Sequence, residues 1–185
     1  LGRIGNTAVV ENLIQELTHE KPYIRHAARD ALKKMGDAQI VPFLLQSLKY
    51  ESDAYVLKNT ENAINQISDA NAIPFFLDAL REDSERVRQT AAQALGRIGG
   101  AAAVSALIPL LRDASFDVRM AAAVALGDMG DEQAIPSLLE LLRDSNTKLR
   151  RIAAKGLGRI GTPESVPALL TLLQDRNPAM RQAVV

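Results

Sequence analysis

Cysteine is absent from the 185 residues, so disulfides, thiolate metal sites and a thiol nucleophile are all excluded. There is no tryptophan, and aromatic residues make up only 4% of the chain. No apolar run reaches the roughly 18 residues that a membrane span needs. Charge of one sign is also missing. Lys plus Arg and Asp plus Glu number 22 each, which leaves a net charge of zero. A general electrostatic nucleic-acid binder is therefore disfavoured, although a local basic patch is compatible with the balance. What is present is an ordinary globular mixture, 47% hydrophobic and 24% charged, which argues against disorder. The apolar share is mostly Ala, Leu, Ile and Val, and it suits close helix–helix packing better than sheets.

The main signal is a repeat. LGRIG at 95–99, LGDMG at 126–130 and LGRIG at 157–161 recur at a step of 31 residues. Arg88, Arg119, Arg150 and Arg181 keep that step, as do Asp113, Asp144 and Asp175, and Pro136 and Pro167. The register extends backwards through Pro74, Pro42 and Arg25. Each unit reads as two helices. In the first, Ile135, Leu138, Leu139 and Leu142 share one stripe, and Pro136 falls in the first turn, where its missing N–H leaves no bond unmade. In the second, Leu149, Ile152, Ala153, Leu157 and Ile160 face inward, and Gly161 stands where a helix ends. The Ala pairs 91–92, 122–123 and 153–154 let neighbouring helices approach closely.

One such hairpin cannot bury its own stripe, but a stack of hairpins buries a continuous core. The expectation is an all-α, right-handed α-solenoid (an α/α superhelix) of about six two-helix repeats. Its units are 6–36, 37–68, 69–99, 100–130, 131–161 and a partial 162–185, after a partial 1–5. Neither end carries the polar cap that natural arrays need, so a piece of a longer array is expected. Pro109 lies deep in the first helix of its unit and predicts a kink or a lost backbone bond there.

The unit D-x-x-A-I-P-x-L-x-x-L-L-x-D-x-x-x-x-V-R-x-x-A-A-x-A-L-G-x-I-G resembles the HEAT-like repeat named after the phycobilisome lyases. Residues 111–144 match it almost throughout, and the resemblance covers the whole chain. It implies a right-handed solenoid in which a turn Asp and a helix Arg form a ladder of hydrogen bonds between repeats. By position that structural ladder is Asp113, Asp144 and Asp175 with Arg119, Arg150 and Arg181. A carboxylate near a helix N-terminus and a bidentate Arg donor suit such a role. The unit 37–68 departs from the pattern: Tyr50 takes the Asp place, Leu57 the Arg place, and Asn65 and Ser68 replace the two glycines. The first unit has His19 at the Asp position. The ladder is expected to fail around residues 50–60, with a local change of curvature.

Candidate chemistry is thin. Deoxyhypusine hydroxylase, a similar solenoid, holds two irons with several His-Glu pairs. This chain has His19-Glu20 alone and one further histidine, His26, so no metal and no cofactor are expected. LGRIG is glycine-rich, but no Lys-Ser/Thr follows and no strand precedes, so its glycines read as helix ends and not as a phosphate loop. Scattered Ser, His and Asp show no nucleophile–base pattern, and the chain reads as a non-enzyme.

Packing fixes the inner positions and leaves one face of each second helix free. In HEAT-type solenoids that face lines the concave surface. The candidate partner-binding residues there are Tyr55, Arg86, Gln89, Gln93, Phe116, Met120, Val124, Lys148, Arg151 and Lys155. Phe116, Met120 and Val124 make an apolar strip, and Lys148, Arg151, Lys155 and Arg159 a basic one. Aromatic, Met and Arg residues are enriched at interfaces. The favoured function is a cytoplasmic protein-interaction scaffold or adaptor with a protein partner and no membrane association. Two alternatives are an accessory factor of a bilin lyase, which rests on the family name alone, and a nucleic-acid-binding helical repeat such as the helical-repeat DNA glycosylases.

Overall fold

The structure, a computed structural model, describes residues 9–10, 12–16, 19–21, 23–24, 27–28, 31–32, 37–50, 52, 54–174 and 178–182. Arg25, His26 and Asp175 lie outside these residues, as do both chain ends. Among the described residues the chain is helical without a strand. The helices are α1 (Asp37–Tyr50), α2 (Ala54–Ile64), α3 (Ile73–Ala79), α4 (Glu85–Ile98), α5 (Ala101–Leu107), α6 (Phe116–Met129), α7 (Ile135–Leu141), α8 (Thr147–Ile160), α9 (Val166–Leu172) and α10 (Pro178–Arg181). None is long and apolar enough to cross a membrane. The chain divides into two compact units, 1–94 and 95–185.

In the first unit, α1 and α2 form one hairpin, and α3 begins the next. The core is Val41, Leu44, Leu48, Leu57, Ile64, Phe76, Leu80, Val87 and Ala91. Leu57, which stands where other units carry Arg, is therefore a core residue. Beside it the buried Thr60 hydroxyl donates to the Val56 carbonyl at 2.9 Å. Pro42 lies inside α1, whereas Pro74 sits in the first turn of α3. The difference comes from what precedes each proline. Before α3 a short 3-10 turn, Ala70–Ala72, is capped by Asp69, whose Oδ1 accepts from the Asn71 N–H at 2.9 Å. At residues 50–60, where the ladder was expected to fail, Tyr50 stands exposed and its neighbour Lys49 donates to Glu82 Oε2 at 2.7 Å, linking one hairpin to the next. This bond holds the Lys49 ammonium above its ordinary value of 10.5.

In the second unit the same hairpin recurs. Asp131 caps the 3-10 turn Glu132–Ala134, and Pro136 follows in the first turn of α7. The buried stripe of α7 is Ile135, Leu138 and Leu141, with Leu139 and Leu142 half-buried, one step round from the stripe expected over 135–142. The helix ends at Leu141, so its last turn tightens and brings Leu141 inward. The expected break at Pro109 is present: α5 stops at Leu107 and a 3-10 stretch, Ile108–Arg112, replaces its last turns with Pro109 near its start. Gly130 and Gly161 close α6 and α8 at φ 69° and 68°, a left-handed conformation that a side chain would strain.

The inner glycines have a second role that the sequence did not signal. A Cβ built on Gly127 would lie 2.8 Å from the Gly156 Cα, and one on Gly96 would lie 2.5 Å from the Ala125 Cβ. The first glycines of the LGRIG at 95–99 and the LGDMG at 126–130 thus let one second helix approach the next closely, whereas Gly158 of the third segment has nothing within 4 Å of its Cβ position. Calling all these glycines helix ends was right for Gly130 and Gly161 and incomplete for Gly96 and Gly127.

Candidate functional site

Arg119 and Arg150, two of the expected ladder residues, donate within their own hairpins. Arg119 Nη1 donates to the carbonyls of Asp113 and Ala114 at 2.6 and 2.9 Å. Arg150 Nη1 donates to those of Asp144 and Ser145 at 2.8 and 3.0 Å, and its Nη2 to Thr147 Oγ1 at 3.0 Å. Arg88 repeats the pattern on Glu82 and Asp83, both at 2.8 Å. The carboxylates fold back on the same turn: Asp113 Oδ1 accepts from the Ser115 N–H and Asp144 Oδ1 from the Asn146 N–H. These charged donors tie down carbonyls that a tight turn would otherwise leave to water. Arg181 lies on α10, and its expected partner Asp175 is outside the described residues. Arg119, Arg150 and their Asp partners are thus turn-builders.

The partner-face candidates fall in two sets. Tyr55 on α2 and Arg86, Gln89 and Gln93 on α4 belong to the first unit. There Arg86 Nη1 meets Glu61 Oε1 at 2.9 Å and Lys58 Nζ approaches the same carboxylate at 3.9 Å, so Glu61 answers both cations. Gln89 is half-buried and Gln93 exposed.

The second unit brings the other candidates together on α6 and α8. Val124 is 41% exposed, and Met120 and Phe116 are half-buried. The strip therefore neither belongs to the core nor stands free; it is an apolar margin beside the core. The Arg119 guanidinium lies 5.9 Å from the Phe116 ring centroid, which fixes that ring at the start of α6. On α8, Lys148, Arg151, Lys155 and Arg159 are all exposed. Arg159 forms an ion pair with Asp128 of α6. Among the described residues, the Lys148, Arg151 and Lys155 side chains have no acidic partner.

Between these helices runs a cleft of about 250 Å³, lined by Ala123, Val124, Gly127, Asp128, Arg151, Ile152, Lys155, Gly156 and Arg159. Its floor is the Gly127–Gly156 contact, so it is shallow and its walls are the free face residues themselves. Ile152, expected on the inner side, is half-buried and forms part of the lining. Larger openings lie along the first helices, of about 340 Å³ beside Pro42, Tyr50 and Phe75 and about 630 Å³ beside Pro109 and Arg112. Each is bridged by an ion pair, Lys49–Glu82 and Arg112–Glu140, which straps one hairpin to the next. Among the described residues no group of three or more His, Asp or Glu is arranged to hold a metal ion.

No curated protein matches the chain in sequence. Among solved structures it is similar to the complex of CpcE and CpcF of phycocyanin lyase from Nostoc sp. PCC7120, with 22% identity, 95% of this chain and 74% of that chain covered, and a TM-score of 0.57. It is also similar to YibA of Escherichia coli, with 21% identity, 94% and 67% covered, and a TM-score of 0.64. A third likeness is to a designed armadillo repeat protein in complex with a (KR)4 peptide, with 19% identity, 94% and 95% covered, and a TM-score of 0.59. At these identities the likeness is one of fold, and it places the chain in the α-solenoid class. The HEAT-repeat family matches residues 1–65, 73–146 and 135–185. With the 31-residue hairpin, the capped turns and the glycine contacts between second helices, that match shows that the chain belongs to the HEAT-repeat family.

Proposed function

We propose that this chain is a non-catalytic interaction scaffold that docks a protein partner on the free face of its second helices, with α6 and α8 as the principal contact. The observation that carries the reading is the pairing of an apolar margin, Phe116, Met120 and Val124, with three cations that have no acidic partner among the described residues, Lys148, Arg151 and Lys155. An aliphatic side chain such as Val124 gains nothing from water, and cations beside it offer orientation to a partner. The equivalent cations of the first unit already share Glu61, which makes that face the weaker candidate. The designed armadillo protein solved in complex with a (KR)4 peptide supports the reading to the extent that a fold of this class binds a peptide. The phycocyanin lyase likeness is one of fold and brings no bilin chemistry with it.

The test is site-directed photocrosslinking in a native lysate. A benzophenone side chain replaces Val124 in one variant and Ser105, an exposed first-helix residue, in another. Discrete protein adducts from position 124 and not from 105 are expected. Equal labelling from both positions, or none from 124, overturns the proposal.

A further inference from the structure

We infer that the α6–α8 face selects an acidic amphipathic peptide segment, with carboxylates along one edge and aliphatic side chains beside them. The inference rests on the docking reading above and adds the chemistry of the partner.

The positive charge of α8 is not spread evenly. Arg159 is neutralised by Asp128, so the uncompensated part is Lys148, Arg151 and Lys155. These three span eight residues on one side of the helix, a row of about 10 Å over seven steps of 1.5 Å. A partner helix with carboxylates three or four residues apart matches that row. The wall facing the row carries Val124, exposed, with Ala123 and Gly127 beside it and Asp128, already paired with Arg159, at its end; the cleft between the two walls has room for a small aliphatic side chain. A basic segment would be repelled. A nucleic acid would find cations but little to stack on, since Phe116 is the sole aromatic on the face and is already fixed beside Arg119. The zero net charge of the chain adds no long-range attraction for a polyanion. Charges of this rim type act mainly on specificity and association rate, so binding weakens as salt is raised.

Short random peptides displayed on phage are selected on the wild-type protein and then measured on two variants, Arg151→Glu/Lys155→Glu and Val124→Asp. All three side chains are exposed, so folding is preserved, and circular dichroism checks it. Selected peptides are expected to be enriched in Asp, Glu and aliphatic residues, and to lose at least about tenfold in affinity on each variant, the equivalent of ~1.4 kcal/mol. Peptides without acidic excess that lose affinity only on Val124→Asp overturn the acid selectivity and leave the docking reading standing. Peptides indifferent to both variants, or no enrichment at all, overturn both. A single-stranded oligonucleotide that binds where acidic peptides do not, and is lost on Arg151→Glu/Lys155→Glu, overturns the inference in favour of nucleic acid.

Discussion

The substitution Gly127→Ala isolates the contact that sets the distance between α6 and α8. The added Cβ would stand 2.8 Å from the Gly156 Cα and 3.6 Å from its nitrogen. Carbon atoms pack at about 3.5–4.0 Å, so the two backbones must part by roughly 1 Å. A flexible side chain could rotate aside; a helix backbone cannot. Overpacking of this kind costs about 1–3 kcal/mol, and a rigid obstacle places the cost at the upper end. Alanine in a helix interior returns about 1 kcal/mol relative to glycine. The net destabilisation is about 2 kcal/mol, which lowers the melting temperature by about 4–8 °C in a chain of this size. Gly158→Ala supplies the opposite sign. It lies in α8 with nothing within 4 Å of its Cβ position, so only the helix gain remains, a rise of about 2–4 °C. A Cβ on Gly156 meets the Gly127 Cα at 3.0 Å. Once the helices have parted, a second methyl enters the gap already opened, so the double variant Gly127→Ala/Gly156→Ala costs less than the sum of the singles. Far-UV circular dichroism melts of the four variants decide the matter. If Gly127→Ala melts higher than the wild type, as Gly158→Ala is expected to, the close approach is refuted.

Two further predictions concern the turns and the junction in the first unit. Asn146 Oδ1 accepts from the Lys148 N–H at 2.8 Å and caps α8, whereas Ser115 at the same place before α6 makes no such side-chain bond. Asn146→Ala should therefore cost about 1 kcal/mol in urea denaturation and Ser115→Ala close to nothing; equal losses would show that the cap is not what holds α8. The second prediction uses Lys49. Its pKa is raised, chiefly by the hydrogen bond to Glu82, so the bond's contribution is present below the ordinary lysine value of 10.5 and is lost as pH rises through the higher folded value. The small difference in melting temperature between wild type and Lys49→Gln should hold from neutral pH to about 10 and vanish above that folded value. High salt should abolish it at any pH, because the pair is exposed. A difference that grows with alkali would contradict the assignment.

Much of this architecture was legible because repeats write the same packing problem several times. The step of 31 recurs in the helices, with α4, α6 and α8 starting at Glu85, Phe116 and Thr147, and Pro109 announced its 3-10 break. The phase of α7 was misjudged by one residue because Leu141 is drawn in by an early helix end, a tertiary effect that periodicity does not carry. The Asp and Arg of the pattern were legible as a structural pair. Their bonds to carbonyls of their own turn were not, since sequence shows which groups are present and not where the backbone turns its acceptors. The inner glycines were missed for a related reason. Gly127 meets Gly156 across two repeats, and nothing local distinguishes a glycine that ends a helix from one that lets a neighbour in. The apolar and basic strips stand at positions that packing leaves free, whereas the pairing of Arg159 with Asp128 joins two repeats and carries no mark within either one.

The copies within the chain also bear on the proposed docking face. Ala91, Ala122 and Ala153 are alike, as are Leu95, Leu126 and Leu157, and Gly96, Gly127 and Gly158. Apart from Gly158, these are buried or close-contact positions, where a change in one copy must be matched by its neighbour. Two residues before each leucine of that set the copies disagree: Gln93, Val124, Lys155. The same holds for Gln89, Met120 and Arg151, whereas in the set Arg97, Asp128 and Arg159 only the middle copy differs. A solvated face with no task would tolerate any polar residue, and disagreement alone would mean little. Placing an aliphatic residue, Val124, at such a position lowers solubility without adding to the core, and it does so beside the cations that lack acidic partners. Packing supplies no reason for that combination, whereas a partner that covers Val124 and answers Arg151 and Lys155 with carboxylates does.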